Sequence, residues 1–243
     1  MASNASDRLA AGQVALVALF VTALVTAQLT ASKLLLFEVP FGLTLPVTGS
    51  SLVLPGAALA YAVTFFASDC YSELYGRRPA QVMVNVGFAM NFVLLALVYS
   101  TVQAPIAPFS GVGQGEFSRV LLSSANIVAG SLLAYVVSQN WDVLAFHALR
   151  DRTDGAHLWL RNVGSTATSQ AIDTVIFVTV AFWAAPTLLG VGRANSLDQI
   201  LALVVGQYVL KLAIAVGDTP FVYAVVRAVR GAEPGATAEP AAD

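Results

Sequence analysis

Six apolar stretches divide the chain, at about 10–32, 55–75, 79–102, 118–148, 163–187 and 197–229, with short segments rich in Pro, Gly and charged residues between them. Each is near or above the roughly 20 residues that cross a bilayer as a helix. The pattern predicts an all-α membrane protein, a six-transmembrane-helix bundle. Local punctuation agrees with it. Pro55 and Pro79 stand where a first helical turn tolerates proline, because the N–H it lacks would have no intrahelical partner there. Ser196 with Gln199 three residues on reads as a capping box opening the sixth helix. A cleaved signal peptide is the alternative for the first stretch, but a single Arg before a long apolar run favours a retained helix.

Two segments do not fit the spanning pattern. Residues 34–54 hold Pro40, Gly42, Pro46 and Gly49 among β-branched and aromatic residues, which predicts an extracytoplasmic hairpin or re-entrant loop after helix 1. Residues 231–243 are mostly Ala, Pro, Gly and Glu, too polar and breaker-rich to pack, and read as a disordered cytoplasmic tail. With residues 1–9 as a cytoplasmic N-terminal leader, 10–230 form one transmembrane domain.

Composition narrows the class further. Hydrophobic residues make up 57% of the 243 positions and charged residues only 11%, with a mean hydropathy of +0.75. Soluble domains carry about a quarter of their residues charged. An ordinary cytosolic enzyme, a disordered chain and a nucleic-acid-binding domain are excluded, and the net charge of −2 offers no basic field for phosphates. One cysteine, Cys70, leaves no disulfide framework and no cysteine-based zinc site.

The cations orient the bundle. Arg8, Arg77, Arg78, Arg150, Arg152, Arg161, Arg227 and Arg230, eight of the 12 basic residues, fall on one side of the predicted spans. Lys33, Arg119 and Arg193 fall on the other, and Lys211 lies inside a helix. The positive-inside rule then puts both termini in the cytoplasm of a multi-pass cytoplasmic-membrane protein. Asp69 with Arg77, Asp142 with Arg150 and Asp218 with Arg227 hint at three repeated hairpins, although the same rule alone would give as much.

Candidate chemistry lies in the polar residues that an apolar helix ought to lack. An ionisable group in hydrocarbon costs at least about 2.5–3.5 kcal/mol, so it faces the protein interior or a wet cavity. Asp69, Asp142, Asp173, Lys211 and Asp218 all have such depth. At about 1.5 Å per residue, Asp173 lies roughly 18 Å beyond Arg161. Helical spacing groups these residues into stripes. The fifth helix aligns Thr166, Gln170, Asp173 and Phe177; the sixth aligns Gln207, Lys211 and Asp218. The fourth aligns Ser131, Tyr135, Gln139, Asp142 and Phe146; the second aligns Tyr61, Phe65, Ser68 and Ser72, with Asp69 at the edge. Converging stripes of this kind would enclose a pocket for a flat, hydrogen-bonding solute.

Structural readings stand beside that one. Lys211 can neutralise Asp218 or Asp173 and simply hold helices together. One lysine pairs with one or two acids, however, and leaves the others protonated, hydrated or held by a ligand. Glu73 reads as a solvated partner of Arg77 at i, i+4. Gly217–Asp218–Thr219–Pro220 predicts a break in the sixth helix, which serves either a cavity or a mere kink. Ala23, Ala27 and Ala31 form a small-residue face for internal packing or for docking another membrane protein. His147 and His157 lack metal-ligand spacing, Cys70 reads as packing, and no Walker A, HExxH or GxSxG pattern occurs.

The sequence resembles the queuosine precursor transporter family, also described as vitamin uptake transporters, from about Ala31 to Arg227. The resemblance is carried by Ala31–Ser32–Lys33, by Gly49–Ser50 through Leu54–Pro55, and by the run from Ala67 through Ser68, Asp69, Cys70, Tyr71, Ser72, Glu73, Leu74, Tyr75 and Gly76 to Arg77. That run is similar to the family's T-D-x-x-x-E-x-Y-G-[RK]. Further elements are Ser138–Gln139 with Asp142 and Phe146–His147, then Ser165–Thr166 with Ser169–Gln170–Ala171–Ile172–Asp173–Thr174, and Tyr208–Val209–Leu210–Lys211 leading to Asp218–Thr219–Pro220.

The resemblance implies import of a 7-deazaguanine base, 7-cyano-7-deazaguanine or its aminomethyl relative, for tRNA modification. It also implies a bundle similar to the substrate-binding S-components of energy-coupling-factor importers. A guanine-like edge offers N–H and NH₂ side by side, and one carboxylate can accept from both. The resulting expectation makes Asp173 and Gln170 the main recognition pair of a deazapurine base, supported by Asp69, Lys211, Asp218 and Asp142. Gln139 and Gln207 would serve the remaining polar edges, and Phe65, Tyr135 and Phe177 would stack. No cofactor or metal is expected, and the lipid bilayer is the surrounding partner. A homo-oligomer or an energising membrane subunit, the latter docked along Ala23, Ala27 and Ala31, stays open. So does an intramembrane enzyme using Asp69 and Asp173 as acid and base.

Overall fold

The computed structural model describes residues 2–39, 42–45, 47–153 and 158–231. Pro40, Pro46, His157 and positions 232–243 of the expected tail lie outside these described residues. Helix α1 (Ala2–Thr30) leads through a turn into strand β1 (Leu34–Glu38), and β2 (Ser51–Pro55) returns antiparallel to it, Leu36 opposite Val53. Helices α2 (Ala58–Tyr75), α3 (Arg77–Gln103) and α4 (Gln114–Arg152) follow. Next come α5 (Leu158–Thr179), a π-helical turn (Val180–Ala184) and α6 (Ala185–Leu189), then α7 (Leu197–Gly217) and α8 (Thr219–Gly231).

Among the described residues, five stretches are long and apolar enough to cross a membrane: Ala11–Thr30, Arg77–Gln103, Gln114–Leu149, Val163–Leu189 and Leu197–Val229. The protein is thus a mostly helical, multi-pass membrane protein. The sixth expected stretch, α2, has 18 residues but too many polar ones to join that set. Its composition follows from its position. Helix α2 packs against α1, α3, α7 and α8, so Thr64, Cys70 and Tyr71 meet protein rather than lipid.

Helix ends test the local readings one by one. Ser196 caps α7 with its side chain accepting from the Gln199 N–H, while Gln199 accepts from the Ser196 N–H, the reciprocal capping box expected there. Pro79 sits in the first turn of α3. Pro55 does not open a helix: it ends β2, and α2 begins three residues later. Pairing with β1 takes the chain as far as Pro55, which lies opposite Leu34, and the helix has to wait for the turn at Gly56 and Ala57. The break between α7 and α8 is slight, because Asp218 keeps helical dihedrals and its N–H still reaches the Ile214 carbonyl at 2.8 Å.

Close packing fixes the bundle. Ala23, Ala27 and Ala31 are 6%, 6% and 0% exposed, so the small-residue face of α1 is used up inside the chain and offers no docking surface. Gly130 on α4 lets the π-helical turn approach, since a Cβ there would stand 2.9 Å from the Ala181 Cβ. Cys70 is fully buried and packs with Val222 and Val226, joining α2 to α8.

Candidate functional site

Helices α1, α2, α3, α4, α5 and α7 line a partly open cavity of about 280 Å³. Three expected stripes turn into it. Helix α5 contributes Gln170, Asp173 and Phe177, α4 contributes Ser131, Tyr135 and Gln139, and α2 contributes Tyr61, Phe65 and Ser68. From α7 comes Gln207. The i, i+3, i+7 spacing on α5 sets an amide, a carboxylate and an aromatic ring one above another on that wall.

Two walls went unanticipated. Helix α1 contributes Phe20, Leu24 and Gln28, and α3 contributes Gln81, Val84 and Phe88. Gln81, Val84 and Phe88 are spaced i, i+3, i+7, the same signal that marks α5, and Gln28 is an isolated amide among apolar neighbours. Both signals were present but lacked a charge to draw attention to them.

Asp173 is the anionic centre of the cavity. Its Oδ2 accepts from Lys211 Nζ at 2.5 Å, and its Oδ1 accepts from Ser138 Oγ at 3.3 Å. Lys211, 5% exposed, does not line the cavity but reaches Asp173 from α7, with Nζ 5.3 Å from the Tyr61 ring centroid. The ring face supplements the ion pair. One turn before Ser138 on α4, the Tyr135 hydroxyl accepts from Gln81 Nε2 at 2.6 Å and donates to Asn85 Oδ1 at 2.6 Å. Its ring stacks on Phe88 with centroids 4.4 Å apart and planes 17° apart. A polar tip and a planar body are thereby held in one orientation.

The other expected acids are not brought to the cavity. Asp142 accepts from Ser169 Oγ at 3.2 Å and belongs, with the Trp141 to Thr168 bond of 3.1 Å, to the seam between α4 and α5. Asp69 is exposed on α2 and has Asp218 and Glu73 as its electrostatic neighbours. Asp218 likewise stays out of the lining, so Asp69 and Asp173 do not face each other across this cavity. Two physical reasons apply: Asp69 follows Ser68 by one residue, about 100° around the helix, whereas Asp142 keeps the face of Gln139 but lies three residues, about 4.5 Å, further along α4.

Three lining amides keep an unused acceptor. The Oε1 atoms of Gln28, Gln170 and Gln207 are buried and have no hydrogen-bond partner. Leaving such a group unpaired costs about 1–3 kcal/mol. Together with a carboxylate and flat rings, these acceptors suit a planar solute that brings N–H groups.

The fold and cavity define a helical, multi-pass membrane protein whose bundle holds a largely apolar pocket set with a few polar groups. The chain belongs to the family described as "Putative vitamin uptake transporter", whose sequence profile matches residues 55–225. It is similar to the "Probable queuosine precursor transporter" of Bacillus subtilis (strain 168), 34% identical over 174 residues, 70% of each chain. It is also similar to the "Queuosine precursor transporter" of Escherichia coli (strain K12), 28% identical over 146 residues, 58% of this chain and 61% of that protein. No solved structure matches.

Proposed function

We propose that this protein imports a 7-deazaguanine base, a queuosine or archaeosine precursor for tRNA modification, across the cytoplasmic membrane. Six spans, with α2 among them, would form the bundle in an arrangement like that of S-components. The basic residues at the α2–α3 turn and at the ends of α4 and α8 support an orientation with both termini in the cytoplasm and the β1–β2 segment outside. Asp173 and Gln170 would receive the donor edge of the base, Gln207 and Gln139 its remaining polar atoms, and Phe65, Phe177 and Tyr135 its ring faces. Rocking of the helices around this site would expose it to each side in turn.

One observation carries the reading: a cavity within the bundle has a carboxylate, unpaired amide oxygens and aromatic rings in its walls. Two relatives with names that specify queuosine precursors support it. The test is uptake of labelled 7-cyano-7-deazaguanine by cells unable to make or import it, with and without this protein. Asp173→Asn should abolish uptake, and so should Asp173→Asn combined with Lys211→Met, which leaves no buried charge stranded and should keep the elution profile of the purified protein. Unchanged uptake by either variant removes Asp173 from the mechanism, and no uptake by the unaltered protein removes the substrate.

A further inference from the structure

We infer that Gln28 is a specificity-determining residue of this cavity, its carbonyl oxygen reading an N–H donor on the pyrimidine edge of the bound base, the N1–H or the exocyclic amine. The inference rests on the proposed function and adds to it a helix that the family match, residues 55–225, does not reach. Gln28 projects from α1, is 3% exposed and lines the cavity.

Its amide is held at one end by hydrogen bonds. Gln28 Nε2 donates to Ser131 Oγ at 3.3 Å, and Ser131 Oγ in turn donates to the Val128 carbonyl at 3.0 Å, a relay in which each group gives one proton and the serine oxygen accepts one. Ser131 thus leaves Oε1 as the free end of Gln28, buried and without a partner.

A buried acceptor held in this way discriminates by what it loses. A ligand with an N–H in reach satisfies Oε1, whereas a ligand lacking it leaves Oε1 desolvated and unpaired. Sites built on that principle reject the deficient analogue far more strongly than a pocket that merely measures shape. Among the three unpaired amides, Gln28 is the one whose NH₂ is shown held by a neighbouring side chain, so it is the sharpest reader.

The experiment measures binding to the purified full chain in detergent for three probes: 7-deazaguanine, its analogue without the exocyclic amine, and its N1-methyl analogue. The unaltered protein is compared with Gln28→Leu and Gln28→Met, and thermal unfolding is recorded for each. The expected result is that the unaltered protein disfavours at least one deficient analogue by about tenfold or more. Both variants should lose affinity for 7-deazaguanine and close the gap to that analogue. Equal weakening of all three probes, or no change in any, overturns the role of Gln28 while the proposed function stands. Failure of the unaltered protein to bind any probe overturns both. Should Gln28→Leu not fold, Gln28→Met gives the same comparison with an unbranched side chain of similar length.

Discussion

Lys211 on α7 donates to Asp173 on α5 at 2.5 Å, with only 4% of the lysine side chain and 18% of the aspartate side chain exposed. The pair balances the charge of the cavity's carboxylate and ties two helices at the point where α2 also arrives with Tyr61. Removing one member of such a pair strands the other, which costs more than removing both.

Lys211→Met should therefore destabilise the protein by about 3–5 kcal/mol. Combining it with Asp173→Asn should recover most of that loss. Thermal unfolding of the single and double variants in detergent checks the sign. A double variant no more stable than Lys211→Met would show that the pair is not the source of the effect.

The three acids outside the cavity give a contrast. Asp69→Asn, Asp142→Asn and Asp218→Asn should each leave the dissociation constant of the base within about threefold of the unaltered value, well under 1 kcal/mol. Binding measured side by side with Asp173→Asn decides whether cavity membership or mere depth in the membrane governs recognition.

Tyr135→Phe separates a hydroxyl from a ring. It removes the bonds to Gln81 and Asn85 and keeps the stack on Phe88, so affinity should fall by about 1 kcal/mol. Tyr135→Leu, which also deletes the stacking partner, should fall further. Titration of the base against both variants orders them.

Gly130→Ala tests the approach of α4 to the π-helical turn. The added methyl would meet Ala181 Cβ at 2.9 Å and backbone atoms at 3.0 Å, neither of which is a flexible side-chain end. A destabilisation of about 1–3 kcal/mol is expected, measured by thermal unfolding. An unaltered melting temperature would mean that the two segments separate at little cost.

Membrane class, most helix positions and the capping box of α7 were legible in the sequence, because length, apolarity and capping are local properties that one stretch of chain carries by itself. The i, i+3, i+7 order of Gln170, Asp173 and Phe177 likewise fixed which side chains share a wall, since helix geometry settles that before any partner is present. What faces that wall depended on how far each helix is rotated and which neighbour it meets. Only the tertiary structure chose Asp173 over Asp218 as the partner of Lys211, turned Asp69 away from the cavity, left Asp142 in the seam between α4 and α5, and brought in Gln28, Gln81 and Phe88. A turn of about 100° per residue moves a side chain from the cavity to another face, and that rotation is set by packing among distant helices, which no single stretch of sequence encodes.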